Sequence, residues 1–162
     1  VSPDAGYAKQ AREYSKRLGV PTVIADKTRT SHDEKANILE VIGDVKGKNV
    51  VIVDDFIISG GTLIDLSYKL KKLGAQKIIA CTSHILSNEK CIRQLNDSEI
   101  DLFITTDSVY NPNINLSKKI KVISVAPLFA EAIFRIHNNM SISPLFNSLP
   151  ERVIQLSLFN RL

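Results

Sequence analysis

The sequence predicts an α/β fold: an open, mostly parallel sheet flanked by helices. Three observations carry this expectation. Apolar, β-branched-rich runs are short and nearly continuous rather than alternating, as parallel strands covered on both faces require. Amphipathic segments with helical spacing lie between them. The two kinds alternate along the chain, which implies βα units joined by right-handed crossovers. The length of 162 residues, 44% of them hydrophobic and 23% charged, suits one domain with a sizeable core.

Taken in order, residues 4–18 carry a helical pattern that ends at Gly19, in the position of a capping glycine. Residues 21–25 are the first expected strand. Residues 27–36 (KTRTSHDEKA) are charged, have neither period, and read as an exposed mobile loop. Residues 49–53 form the next strand, and 62–73 a helix with Leu63, Leu66, Leu70 and Leu73 on one face and Gly74 after it. Further strands are expected at 77–82, 100–105 and 120–125, and further helices at 88–95 and 127–137. Residues 111–116 (NPNINL) are a turn-rich connection. Beyond Pro150 the apolar Val153, Ile154, Leu156, Leu158 and Phe159 need a cover, expected from an oligomer interface or a partner segment.

Composition narrows the function classes. A net charge of +4 is a slight lysine excess, and its functional use would be attraction of polyanionic small ligands such as sugar phosphates. Nucleic acid is not an expected partner, because aromatics are 6%, Trp is absent and no basic run exceeds two residues. Charged residues interrupt every apolar run well short of the roughly 18 residues a membrane span needs. The first residues lack the basic and apolar regions of a signal peptide. They also lack a methionine and start mid-strand, as in a piece of a longer protein. Cys81 and Cys91 are spaced unlike a redox pair or a metal cluster; Cys81 reads as a small core hydrophobe, and a reducing, cytoplasmic setting is expected.

The segment that carries chemistry runs from Val50 to Thr62 (VVIVDDFIISGGT). An apolar strand ends in Asp54 and Asp55, and a small, glycine-rich turn then opens a helix that Thr62 is expected to cap. In open α/β sheets ligands bind outside the carboxyl ends of the strands. Glycines allow close backbone approach to an anion, and the helix N-terminus binds phosphate. Two acids beside a phosphate cradle fit a sugar phosphate: the acids take hydroxyls and the turn takes the anion. Neither a Walker loop nor a dinucleotide fingerprint occurs.

This segment resembles the phosphoribosyl-diphosphate motif of type I phosphoribosyltransferases and ribose-phosphate pyrophosphokinases. The rest of the chain resembles the C-terminal half of the pyrophosphokinases. Val1-Ser2-Pro3-Asp4-Ala5-Gly6 is similar to their VSPDxGG segment, and residues 24–29 (IADKTR) to the start of their catalytic flexible loop. Residues 41–48, 124–138 and 141–146 resemble further family segments. The resemblance implies transfer of the diphosphoryl group of ATP to the 1-hydroxyl of ribose 5-phosphate, giving phosphoribosyl diphosphate and AMP, with magnesium (Mg2+). It implies that Asp54 and Asp55 hold the ribose 2- and 3-hydroxyls, that Ser59, Gly60, Gly61 and Thr62 cradle the 5-phosphate, and that Lys27 and Arg29 are catalytic. Asp4 matches a position near the magnesium–nucleotide site; by itself it reads as a helix N-cap.

The resemblance also implies one phosphoribosyltransferase-like domain over residues 1–162, with a tail at 150–162. That domain is half of a two-domain enzyme whose missing N-terminal domain supplies most adenine contacts, and the assembly is a homo-oligomer. Departures from the family pattern DDxxDTxGT are Ile58 in place of an acid and Ser59 in place of a threonine. Tyr7 stands where a second glycine is usual and narrows the approach to the nucleotide. His84, one residue late relative to a Thr-His pair of the family, is read as a polar loop residue, His32 as solvent-exposed, and His137 as flanking a helix. Two alternatives stay open: a phosphoribosyltransferase, and a non-catalytic homologue that regulates an active synthase.

Overall fold

A computed structural model describes residues 1–29 and 37–159. Helix α1 (Ala8–Leu18) precedes a hairpin of β1 (Ile24–Arg29) and β2 (Asn37–Ile42). Then come β3 (Val50–Ile57), α2 (Gly61–Lys72), β4 (Ile78–Ile85), α3 (Glu89–Asp97), β5 (Leu102–Thr106), β6 (Ile120–Ile123), α4 (Ala126–His137) and α5 (Glu151–Phe159). Strands β3-β4-β5-β6 lie in that order in one sheet, with every neighbouring pair parallel, while β1 and β2 pair antiparallel. The first two residues join the two sheets. Val53 N–H donates to the Val1 carbonyl (3.0 Å), and on the other side Ser2 N–H donates to Val23 (2.8 Å).

The expected α/β class is what the chain adopts, and its core explains why. Ile52, Ile78, Ala80 and Phe103 come from three parallel strands and are essentially fully buried. Leu63, Leu66 and Leu70, spaced three and four apart, set one stripe of α2 against them. Each such aliphatic side chain contributes roughly 1.5–3 kcal/mol when withdrawn from water. Lys69, Lys71 and Lys72 in the last turn of α2 complement the helix dipole, and Gly74, at φ +91°, ends the segment. Asn88 caps α3, its Oδ1 accepting from the Cys91 N–H at 3.0 Å.

Several expectations need correction. Lys27–Arg29 are not loop but the end of β1, held extended by pairing with Asn37, Ile38 and Leu39, so a backbone ladder overrides the absence of any apolar period. Residues 30–36 of the expected loop, including His32, lie outside the described residues. Helix α1 starts at Ala8 rather than at residue 4; Asp4 instead accepts the Tyr7 N–H at 2.8 Å, tying the turn ahead of the helix. Strands β3 and β4 run four and three residues past their expected ends, because the buried pair Ile57 and Ile85 extends the ladder. His84 therefore lies in β4, not in a loop, and its Nδ1 is 2.6 Å from Ser108 Oγ. Cys81 is partly exposed, while Cys91 is buried.

The tail is also different from expectation. It forms α5, which covers Val153 against the chain's own α4, leaving Ile154 and Leu156 exposed. The buried Glu131 of α4 accepts from Arg135 Nε (2.7 Å) and from Arg152 of α5. No helix among the described residues is long and apolar enough to cross a membrane.

Candidate functional site

The carboxyl end of β3 builds the site. Asp54 is half-buried and Asp55 exposed, since adjacent strand residues point to opposite faces. Asp55 N–H donates to Asp54 Oδ1 (3.0 Å) and Phe56 N–H to Asp55 Oδ1 (2.8 Å), so each carboxylate keeps acceptor capacity for a ligand. Burial, together with the negative charges of Asp55 and Asp4, pushes the Asp54 carboxyl up to about 6. Val1 bonds to both Val51 and Val53, which ties the chain start to β3, and Asp4 lies near enough to this rim for its charge to act on Asp54. Tyr7 follows on the same turn. Burial first, then Tyr14 and the two acids, push its hydroxyl up to about 12, so it stays a neutral donor.

The turn after β3 is shaped for close approach. Gly60 has φ +75°, a left-handed conformation, and is the N-cap residue of α2. A Cβ built on it would lie 2.6 Å from Cys91 Sγ, so the cysteine packs directly against the turn. Because α2 begins at Gly61, Thr62 sits inside the first turn and is not the cap expected of it. The first turn of α2 carries no acidic residue, and its N-cap residue makes no side-chain hydrogen bond. Such a terminus presents N–H groups and the positive end of the dipole to an anion.

A cavity of about 260 Å³ lies between Asp54 and this turn; Ser59, Gly60, Thr62 and Thr82 are in its lining. Asp55 and Gly61 are not. Lys27 and Arg29 have their backbones in β1, paired with Leu39 and Asn37, and their side chains lie outside what is described. A larger cavity of about 470 Å³ under α1, lined by apolar residues such as Leu18, Val23 and Val53, holds none of the expected site residues. Reading the sequence missed Thr82 and Cys91. Thr82 sits opposite Asp54 only through the β3–β4 register, and the one linear signal is a threonine ending an apolar run.

Comparison with known proteins settles the family. Residues 2–147 match the family model described as phosphoribosyl synthetase-associated domain. The chain belongs to this family. Among curated relatives, the ribose-phosphate pyrophosphokinase of Thermosipho africanus is 42% identical over 146 residues, which are 90% of this chain and 45% of that protein. The ribose-phosphate pyrophosphokinase of Caldanaerobacter subterraneus subsp. tengcongensis is 46% identical over 149 residues, 90% of this chain and 46% of that protein. A crystal structure of phosphoribosylpyrophosphate synthetase from Mycobacterium smegmatis superposes with a TM-score of 0.77 at 29% identity, covering 85% of this chain and 44% of that one. The chain thus spans a little under half the length of the phosphoribosyl synthetases it matches. The family match ends at residue 147, so α5 lies beyond it.

Proposed function

We propose that this chain carries the ribose 5-phosphate site and part of the catalytic machinery of a ribose-phosphate pyrophosphokinase. That enzyme moves the diphosphoryl group of ATP to the 1-hydroxyl of ribose 5-phosphate, giving phosphoribosyl diphosphate and AMP. The observation that supports this best is the pairing, across one 260 Å³ cavity, of the Asp54 carboxylate with the glycine turn opening α2. A carboxylate accepts hydroxyl protons and repels anions, whereas the turn and helix terminus attract an anion. A sugar phosphate presents both groups.

In this reading residues 59–62 take the 5-phosphate, Asp54 and Asp55 take the 2- and 3-hydroxyls, and the sugar is fixed with its 1-hydroxyl toward the nucleotide. Lys27 and Arg29, at the end of β1, stabilise charge on the transferring phosphates. The residues present fit magnesium through Asp4. One of its oxygens is bound to Tyr7 and the other is a hard donor of the kind Mg2+ accepts beside substrate phosphates. When bound, the ion would offset phosphate charge. The relatives' greater length fits a chain that is one phosphoribosyltransferase-like domain, with adenine contacts supplied by a further domain. The same reading includes a cytoplasmic homo-oligomer, for which the exposed Phe129, Ile133 and Phe146 offer apolar surface. A regulatory homologue is the second reading, favoured by Ile58, a 59% exposed isoleucine at the position of a family acid.

Calorimetric titration of the chain with ribose 5-phosphate tests the site. Binding is expected, weaker for unphosphorylated ribose and for inorganic phosphate, and its absence refutes the site. An AMP-release assay tests the division of labour: these 162 residues alone should bind without turnover, and robust turnover would sink that part.

A further inference from the structure

Thr82 lines the same cavity, and the chemistry above gives it no task. It is 5% exposed, and its Oγ1 has no hydrogen-bond partner among the described residues. A buried hydroxyl left unpaired costs free energy that a valine of nearly the same shape would avoid. Register decides what it faces. Thr82 of β4 is the direct neighbour of Asp54 on β3, and parallel strands lie about 4.8 Å apart, so the two side chains stand side by side on one face of the sheet. Thr105 is a second buried hydroxyl without a partner among the described residues. Continuing the register from Cys81 and Ile104 makes it Thr82's neighbour on β5, yet it does not line the cavity.

We propose that Thr82 contacts the substrate and sets its specificity, donating a hydrogen bond to a ribose hydroxyl whose own proton Asp54 accepts. This rests on the ribose 5-phosphate reading of the site. The neighbouring carboxylate selects the partner: it would repel a phosphate oxygen placed here. A sugar hydroxyl satisfies both residues because it donates and accepts at once. The phosphate is left to the turn at residues 59–62.

The test uses the full-length protein at pH 8, titrated with ribose 5-phosphate and separately with inorganic phosphate, for Thr82→Val, Thr82→Ser and Thr105→Val. Thr82→Val should bind ribose 5-phosphate roughly tenfold more weakly while holding inorganic phosphate unchanged. Its thermal midpoint should stay the same or rise, since an unpaired hydroxyl is gone. Thr82→Ser should keep most of the affinity. Thr105→Val should leave affinity untouched. Should the valine variant fail to fold, Thr82→Ala removes the same hydroxyl and gives the same comparison. Unchanged ribose 5-phosphate affinity in the valine or alanine variant overturns the proposal, as does an equal loss for inorganic phosphate. Failure of the unsubstituted protein to bind ribose 5-phosphate overturns the functional reading and this proposal together, a result distinct from either.

Discussion

Burial and the charges of Asp55 and Asp4 lift the Asp54 carboxyl from its ordinary 3.8 to about 6. The folded state therefore holds that proton more tightly than the unfolded state does. The stabilisation is fully present below about pH 3.8 and lost as pH rises through about 6, so ionised Asp54 is a burden at pH 8. Asp54→Asn should raise the thermal midpoint at pH 8, by about 2–4 °C once solvent screening trims the effect to about 1 kcal/mol. The gain should shrink toward pH 4. Ribose 5-phosphate affinity should vanish in this variant, and in the unsubstituted protein it should fall as pH drops through about 6; melting curves and titrations across that range check both. Gly60 carries a different constraint. An alanine there meets a left-handed φ of +75° and a sulfur at 2.6 Å, together worth about 2–4 kcal/mol. Adding Cys91→Ala should recover the clash but not the backbone strain, so the double variant should melt between the two extremes in thermal denaturation.

Helix α5 gains its place through one buried apolar contact and one ion cluster, and both are open to test. Val153 is 2% exposed, so Val153→Ala should cost about 1–3 kcal/mol in urea unfolding, whereas Leu156→Ala, at an exposed position, should cost under about 0.5. Equal effects would mean that α5 is not docked on α4. The helix also marks a limit of what could be read from the sequence. Its apolar residues are visible in the linear order, but their cover is Glu131 and its neighbours, some 21 residues away, and no local period announces that. The strands of the parallel sheet were legible because covering both faces leaves continuous Val and Ile runs. Of the β1–β2 ribbon only the start of β1, at Ile24 and Ala25, was legible, because its Lys27–Arg29 segment is extended by backbone pairing and carries no apolar signal. The site divides the same way. Asp54, Ser59, Gly60 and Thr62 lie in one short stretch of sequence and could be read directly, whereas Thr82 and Cys91 reach them only through sheet register and α3 packing.

At the scale of the whole molecule, the open question is whether the two halves of the proposed chemistry, sugar binding and phosphate transfer, separate on different parts of the chain. The net charge of +4 is too small to steer polyanions by itself, so any electrostatic contribution must come from where particular cations sit. Strand β1 ends in Lys27, Thr28 and Arg29, while the proposed sugar site lies at the end of β3 and the start of α2. Lys27→Ala in the full-length protein should therefore reduce AMP release by about 10²–10³-fold, the usual effect of removing one donor to transition-state charge. Ribose 5-phosphate affinity should stay within about twofold, because uniform binding of the sugar does not depend on a group that acts only in the transition state. A regulatory homologue gives a different pattern. Its Lys27→Ala variant would show no change in turnover, since the protein has none of its own, and the effect would appear instead in the activity of a synthase assembled with it. Steady-state AMP release and calorimetry on the same two proteins distinguish these outcomes. Parallel loss of affinity and turnover would contradict both, placing Lys27 in sugar binding rather than in phosphate transfer.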